Sequence, residues 1–416
     1  MSDFALAGKT VILRPDINSP IDPTTKRIVN TNRIEKSVPT LKFLLDGGAK
    51  VAIIAHQGDT LDYQNLIPLA EHAEKLGGLL GKKIAYIDDV CGPAAVDAVK
   101  SLGRGEAVLL GNLRYLSEEI STFESAVKLK PEEMLDTWLV RQLAPIADLY
   151  VNDAFAAAHR NAPSMVAFQE VLPTAGGVQL MEEYTALKTV TESPRRPCVY
   201  VLGGAKISDA FDMMRLVLEK GTADTILTAG VTGLVMLIAK GIDVGAATMK
   251  FLKDRSLDVF IPEARELLEK WGAKYLIPID LAYEENGARA ELDVARLPRD
   301  VIFPDIGEKT VALFEQKIDA AGSIFVNGPA GMYEKPLWEK GTREIWRAIE
   351  RAPGYTVIGG GDTISAATKY CDLSRFGYVC TGGGAMVRFL AGKRLPLIDA
   401  MEKAYDRNLR SPVRGR

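Results

Sequence analysis

The sequence predicts an α/β fold of two Rossmann-like lobes, each a parallel sheet flanked by helices, joined by a hinge helix. Three observations predict it. Short apolar runs alternate with longer amphipathic stretches along all 416 residues, as expected of parallel strands covered by helices on both faces. The alternation is disturbed once, between Val171 and Pro197. The runs on either side of that break also end differently, in cationic and amide residues before it and mostly in glycine after it.

The elements follow in order. In the first half Thr10–Leu13 leads into Arg14 and Asp16, Val51–Ala55 into His56, Ala107–Leu110 into Asn112 and Arg114, and Asp148–Val151 into the stretch from Asn152 to Arg160. With Ile84–Ile87 these runs are too short for helices, and many are β-branched. Helical periodicity marks Arg33–Asp46 and Ile67–Leu80. Gly176–Gly177 reads as a hinge, followed by a bridging helix from about Gln179 to Val190 that Pro194 and Pro197 close. In the second half the strand candidates are Cys198–Leu202, Thr225–Thr228, Tyr275–Pro278, Ser323–Val326, Tyr355–Ile358 and Gly377–Cys380. Helical patterns cover Ser208–Lys220, Ile261–Trp271, Lys309–Ala320, Leu337–Arg351 and Ile364–Tyr370. Residues 1–172, 173–193 and 194–392 thus form a lobe, a linker and a lobe. The polar, basic end from Arg407 to Arg416 reads, taken alone, as a frayed tail.

Composition excludes several classes. A content of 47% hydrophobic and 25% charged residues is that of an ordinary soluble globular chain. A formal charge of -3 argues against a nucleic-acid binder, so any cationic site is local. Cys91, Cys198, Cys371 and Cys380 form no CxxC pair, which fits a reducing cytosol and neither a zinc ribbon nor a disulfide scaffold. Three histidines do not make a multi-His metal site. Asp3 and the short apolar stretch before Lys9 speak against a signal peptide. The most apolar window, Ile226 to Ala239, is shorter than the ~20 residues of a membrane span and reads as a buried strand running into a buried helix. The expectation is a cytoplasmic protein, monomer or homodimer, with no membrane and no nucleic-acid partner.

In open α/β sheets ligands sit beyond the carboxyl ends of the strands. Arg14, Arg33, His56, Arg114, His159 and Arg160 mostly lie there, and arginine's planar fork suits carboxylate and phosphate. The glycine clusters of the second half would let phosphate oxygens reach backbone N–H groups and helix N-termini. Neither GxxxxGK[ST] nor GxGxxG is present, so this is not a P-loop protein and a dinucleotide reading is weakened. Lys206, expected in a first helical turn, opposes the helix dipole unless a phosphoryl group is bound. Asp362 reads equally as a helix N-cap and as a carboxylate for Mg²⁺ carried on nucleotide phosphates.

These residues, in this order, resemble the 3-phosphoglycerate kinase family essentially end to end, with features of its archaeal-like branch. RPDINSP (14–20) resembles the family's RVDFNVP, AHQG (55–58) its SHLGR, and GNLRY (111–115) its ENLRF. VNDAF with AHR (151–160), LGGAK (202–206), VNGPAG (326–331) with Glu334, GGGDT (359–363) and TGGGA (381–385) are close to the family wording. The resemblance implies direct transfer of the acyl phosphate of 1,3-bisphosphoglycerate to MgADP, giving 3-phosphoglycerate and MgATP, with hinge closure. It implies that Asp16, Asn18, His56, Arg114 and Arg160 hold 3-phosphoglycerate beside His159, and that Arg33 neutralises the acyl-phosphate end. Lys206 would follow the phosphoryl group. Gly203, Asn327, Pro329, Glu334 (on the ribose), Gly359, Gly360, Gly361 and Thr363 would contact nucleotide, and Asp362 would take Mg²⁺. Gly383 and Gly384, with Gly382, would offer N–H groups to the transition state. Residues 393–416 would return to the first lobe.

Four departures stand out. Asp59 replaces the arginine of SHLGR, and Ala210 replaces a second lysine that many members carry. Thr228–Ala229–Gly230 replaces an all-glycine triplet, and Pro15 a valine. They motivate one alternative, a two-lobe protein that binds both ligands without turnover. A nicotinamide dehydrogenase is a further alternative, opposed by the missing GxGxxG fingerprint.

Overall fold

The computed structural model describes residues 1–59 and 63–410, and only the backbone of Tyr63 and of 408–410. The chain forms two compact units. One comprises Met1–Tyr184 with the segment from Arg394, the other Thr185–Lys393. The chain passes from the first to the second within the helix Val178–Glu192.

The first unit holds six strands, β1 (Thr10–Pro15), β2 (Lys50–Ile53), β3 (Ala85–Tyr86), β4 (Ala107–Leu109), β5 (Leu149–Asp153) and β6 (Thr174–Gly176). All are parallel, in the order β3-β4-β2-β1-β5-β6. Val11, Leu13, Val51, Ile53 and Val151 point into one face and pack on Ile34, Leu41, Leu44 and Leu45 of the helix Asn32–Asp46. The order reverses between β1 and β5, so these strands open a crevice at their carboxyl ends.

In the second unit β7 (Cys198–Leu202), β8 (Thr225–Thr228) and β9 (Tyr275–Leu276) come first. A three-stranded antiparallel sheet follows, β10 (Asp280–Glu285), β11 (Ala288–Asp293) and β12 (Asp305–Ile306), in the order β11-β10-β12. Strands β13 (Ser323–Asn327), β14 (Tyr355–Gly359) and β15 (Tyr378–Cys380) complete a six-stranded parallel sheet, order β15-β14-β13-β7-β8-β9. Its switch point lies between β7 and β13. The Ile226–Ala239 window is β8 running into the helix Gly230–Ala239, whose side chains are mostly buried.

Two expectations need correction, and the glycines expected as a hinge can be placed. The antiparallel sheet was not anticipated. Gly176 belongs to strand β6, and Gly177 is fixed by its N–H on Asn152 C=O at 2.8 Å. A Cβ at Gly177 would lie 2.2 Å from Asp153 Oδ1, so close packing accounts for glycine there. Arg407 is no frayed residue: it lies in the helix Pro396–Arg410, gives Nη2 to Gln169 C=O at 2.6 Å and pairs with Glu170 at 3.1 Å. Residues 411–416 lie outside the described residues.

Candidate active site

At the switch point of the first unit, β1 delivers Arg14 into the interior, 3% exposed. Its Nε donates to Ser164 Oγ at 3.3 Å, Nη1 to Pro15 C=O at 2.6 Å and Nη2 to His56 Nδ1 at 2.8 Å. A guanidinium only donates, so Nδ1 of His56 must accept and the ring is neutral. Burial first, then the charges of Arg14, Arg114, Arg33 and Arg160, hold the His56 pKa well below the ordinary histidine value. Asp16, 1% exposed, takes Arg33 Nη1 at 2.8 Å. Its other oxygen accepts Asn18 N–H at 3.3 Å, and Asn18 Oδ1 accepts Gly58 N–H at 3.0 Å. The loops after β1 and β2 are therefore latched by neutral hydrogen bonds behind the charges.

Asn112 fixes the next loop. It accepts from the N–H groups of Gln57 and Arg114 and donates to the carbonyls of Gln57 and Ile67. Arg114 gives Nη1 to Glu119 C=O, while its buried Nε has no hydrogen-bond partner. Arg160 pairs through Nε with Glu124 at 2.7 Å, while its buried Nη2 has no partner. Burial, then Arg160 and Arg14, lower the Arg114 pKa to about 10. Three guanidiniums thus repel one another in a buried place and leave two N–H groups unmet. An anion would satisfy both deficits. His159, next in sequence to Arg160, is half-buried. Asp59 is exposed, and its charge acts on Arg114 to raise its pKa, partly offsetting the other cations.

Sequence reasoning named Asp16 but missed Glu119 and Glu124, the other carboxylates of this cluster. Glu119, 2% exposed, accepts Ser164 N–H at 2.7 Å and Oγ–H at 2.6 Å, bonds that offset the upward push of burial on its pKa. An acidic residue among arginines is a weak signal in sequence, because Glu119 and Ser164 lie 45 positions apart.

In the second unit the glycines divide into two kinds. At the switch point the backbones after β7 and β13 cross: Gly203 N–H donates to Asn327 C=O at 2.9 Å and Gly204 N–H to Pro329 C=O at 2.8 Å. A Cβ at Gly203 would sit 2.2 Å from Pro329 O, and one at Gly328 2.2 Å from Gly203 O. The expectation that Gly203 offers its N–H to phosphate is therefore corrected; that group is spent on the crossing. Gly359 packs under Met386 Sδ, 2.0 Å from its would-be Cβ, and its carbonyl accepts Asn327 Nδ2 at 2.8 Å. Gly361 and Gly383 are of the other kind, with open space where a Cβ would be. They begin the helices Gly361–Tyr370 and Gly383–Leu390, and Gly384 follows in the second. First-turn N–H groups lack intrahelical partners and gather positive potential.

Two further positions are corrected. The N-cap of Gly361–Tyr370 is Gly360, with φ +99°, not Asp362; Asp362 lies exposed in the first turn. Lys206 is the residue before the helix Ile207–Glu219 rather than within its first turn. The two meet: Lys206 Nζ lies 3.5 Å from Asp362 Oδ2, both largely exposed. Thr363 is buried and its Oγ1 accepts Gly328 N–H at 2.8 Å, tying the β13 loop to the β14 helix. Glu334 is exposed and Pro329 buried. Ala210 is 1% exposed on the inner face of its helix, where a solvated lysine has no place. The predicted residues therefore form one cluster in each unit, and each cluster sits at the carboxyl edge of its own parallel sheet.

Comparison with known proteins shows the family and the fold. The family model for phosphoglycerate kinase matches residues 1–393. The phosphoglycerate kinase of Methanothermobacter thermautotrophicus is 38% identical over 404 residues, 97% of this chain and 96% of that protein. That of Thermococcus kodakarensis is 39% identical over 413 residues, 98% of both. The crystal structure of phosphoglycerate kinase from Pyrococcus horikoshii superposes with a TM-score of 0.85 at 35% identity, covering 98% of this chain and 99% of that one. A model match over most of the length and relatives alike over almost all of it leave one conclusion: the chain belongs to the phosphoglycerate kinase family.

Proposed function

We propose that the chain catalyses reversible, direct transfer of the acyl phosphate of 1,3-bisphosphoglycerate to MgADP, giving 3-phosphoglycerate and MgATP. Family membership makes it a kinase whose acceptor is a carboxyl group. The observation that carries the substrate assignment is the set of buried Arg14 and half-buried Arg114 and Arg160, with two buried N–H donors unmet. Such a set suits a small, multiply charged anion. Arg114 and Arg160, with His56, Asn18 and Asp16, would hold 3-phosphoglycerate, and His159 would border it. Arg33, held by Asp16, would neutralise the acyl-phosphate end. We assign phosphoglycerate binding to residues 1–172 and nucleotide binding to 194–392, with 173–193 as hinge and linking helix and 393–416 as a segment of the first lobe.

In the nucleotide lobe, the N–H groups opening Gly361–Tyr370 and Gly383–Leu390 would receive phosphate oxygens. Gly359 and Gly360 would shape that approach, Thr363 would border it, and Asn327, Pro329 and Glu334 would line the nucleotide. Among the described residues there is no group of three or more His, Cys, Asp or Glu poised for a metal. A single exposed carboxylate, Asp362, beside phosphate-binding N–H groups fits Mg²⁺ that arrives on the nucleotide, since Mg²⁺ takes one or two carboxylates plus phosphate oxygens. When bound, the ion neutralises phosphate charge. Lys206 would exchange its ion pair with Asp362 for the moving phosphoryl group. Catalysis of this kind rests on positioning and charge neutralisation, with no enzyme nucleophile. Transfer requires the two ligands to meet, and hinge closure is the motion we propose for it. No helix among the described residues is long and apolar enough to cross a membrane. Cytoplasmic residence is our proposal from the scattered cysteines of the sequence, which form no CxxC pair.

The test is turnover: purified protein with MgATP and 3-phosphoglycerate, coupled to NADH oxidation by glyceraldehyde-3-phosphate dehydrogenase. The expected result is substrate-dependent oxidation that Arg33→Ala abolishes. Folded protein that binds both ligands without oxidation would replace the kinase reading by binding alone.

A further inference from the structure

The antiparallel sheet sends two charged side chains beneath the loop that follows β13. Asp305, the first residue of β12, is 2% exposed. Its Oδ2 accepts Gly341 N–H at 2.8 Å and Arg289 Nη1 at 2.8 Å. Its Oδ1 is buried without a hydrogen-bond partner. Arg289, on β11, also gives Nη2 to Ile306 C=O at 2.7 Å, which fixes its fork.

The loop rests on this carboxyl. A Cβ at Gly331 or at Gly341 would each lie 2.3 Å from Asp305 Oδ1, so both backbones press against it. The neighbouring Pro304 C=O accepts Met332 N–H at 2.9 Å, and Gly331 N–H donates to Thr342 Oγ1 at 3.0 Å. Gly331 stands between Asn327 and Glu334, the two residues assigned to nucleotide. A buried carboxylate oxygen without a partner costs free energy, and an apolar residue of similar size would pack there at no such cost. Packing alone does not explain an acid at 305.

We propose that Asp305, held by Arg289, is a positioning residue for the nucleotide: it sets the height of the 327–334 loop so that Asn327 and Glu334 meet the bound ligand. The proposal rests on the nucleotide reading of this unit given above. It gives the antiparallel sheet a task in ligand binding, though it contributes no residue that touches ligand.

Asp305→Asn keeps the shape and removes the charge, and Arg289→Met removes the partner. Isothermal titration of the full chain with MgADP should show each variant binding about tenfold more weakly, the loss of one charge-assisted bond. Affinity for 3-phosphoglycerate and kcat at saturating nucleotide should not change. The double variant should lose less than the sum of the two single losses, because the Asp305–Arg289 bond is common to both. Arg289→Lys should recover part of the loss. Ile318→Val, a trim of the same unit's core, should lower Tm without moving MgADP affinity. Unchanged MgADP affinity in Asp305→Asn, or equal weakening of both ligands, would overturn the proposal while leaving the kinase reading intact. Wild-type chain that binds no MgADP would overturn both.

Discussion

Asp153 offers the prediction that can be worked furthest. It ends β5, and its Oδ1 accepts Leu180 N–H at 2.9 Å in the first turn of the helix Val178–Glu192. Its Oδ2 is buried without a partner. Burial pushes its pKa from 3.8 up to about 7, against the pull of hydrogen bonds from Thr40, Leu180 and Gln179. The folded chain therefore keeps a proton between about pH 4 and 7 that the unfolded chain has released. The stability this proton confers is fully present below the unfolded pKa and is lost as pH rises through the folded one. A shift of about three units corresponds to about 4 kcal/mol over the whole window, and to at most about 1.4 kcal/mol per pH unit within it. Asp153→Asn keeps an acceptor for Leu180 and removes the proton. Urea denaturation of wild type and variant in steps from pH 4.5 to about 7.5 should give stability curves that converge in favour of the variant as pH rises. Taking the difference cancels other titrating groups, Asp305 among them. Parallel curves across that range would refute the assignment of a raised pKa to Asp153.

Other predictions follow from the two clusters. Lys206→Ala should lower kcat by about a hundredfold or more with little change in MgATP KM, since its partner is the moving charge; an unaltered kcat in the coupled assay would remove Lys206 from the reaction. Gly328→Ala, at φ +88° and facing Gly203 O at 2.2 Å, should cost about 3 kcal/mol or more by calorimetry; Gly361→Ala, with open space, should cost far less and instead weaken nucleotide binding. The His56 ring, its pKa held well below the ordinary histidine value, should stay neutral through the ordinary histidine range, so its ring proton signals should show no titration there by NMR. A midpoint within that range would mean that Nδ1 does not accept from Arg14.

The parallel framework was legible because buried parallel strands are continuous apolar runs, and eleven of the twelve parallel strands, all but β6, begin or end within a residue of the expected runs or lie inside them. Helix starts drifted further: Leu337 was expected to open a helix that begins at Lys340. The antiparallel sheet escaped because half the residues of Asp280–Glu285 and of Ala288–Asp293 are charged, so neither reads as an apolar run. A signal was nevertheless present. Asn286–Gly287 between two six-residue segments is a strong hairpin mark. In the site, residue types at strand ends were readable, but their partners were not. Arg14 meets Ser164 across 150 positions, and Arg289 meets Asp305 across the central strand β10 of the antiparallel sheet. Such pairings are products of topology. The glycines show the same limit from the other side, since sequence cannot separate Gly203, which lets two backbones cross, from Gly361, which leaves room beside a helix N-terminus.

The hairpin joining β10 and β11 has a consequence for how the molecule can be handled. Its tip, Asn286–Gly287, takes up left-handed backbone at both residues, with nothing within 4 Å of the glycine's would-be Cβ. A fluorophore or a small inserted domain would be accommodated there with little disturbance. Two residues along the same strand stands Arg289, whose fork holds Asp305 against the loop after β13. The tip is thus an outward site on the hairpin that carries Arg289, and a dye placed on it would test whether nucleotide binding is felt along that strand.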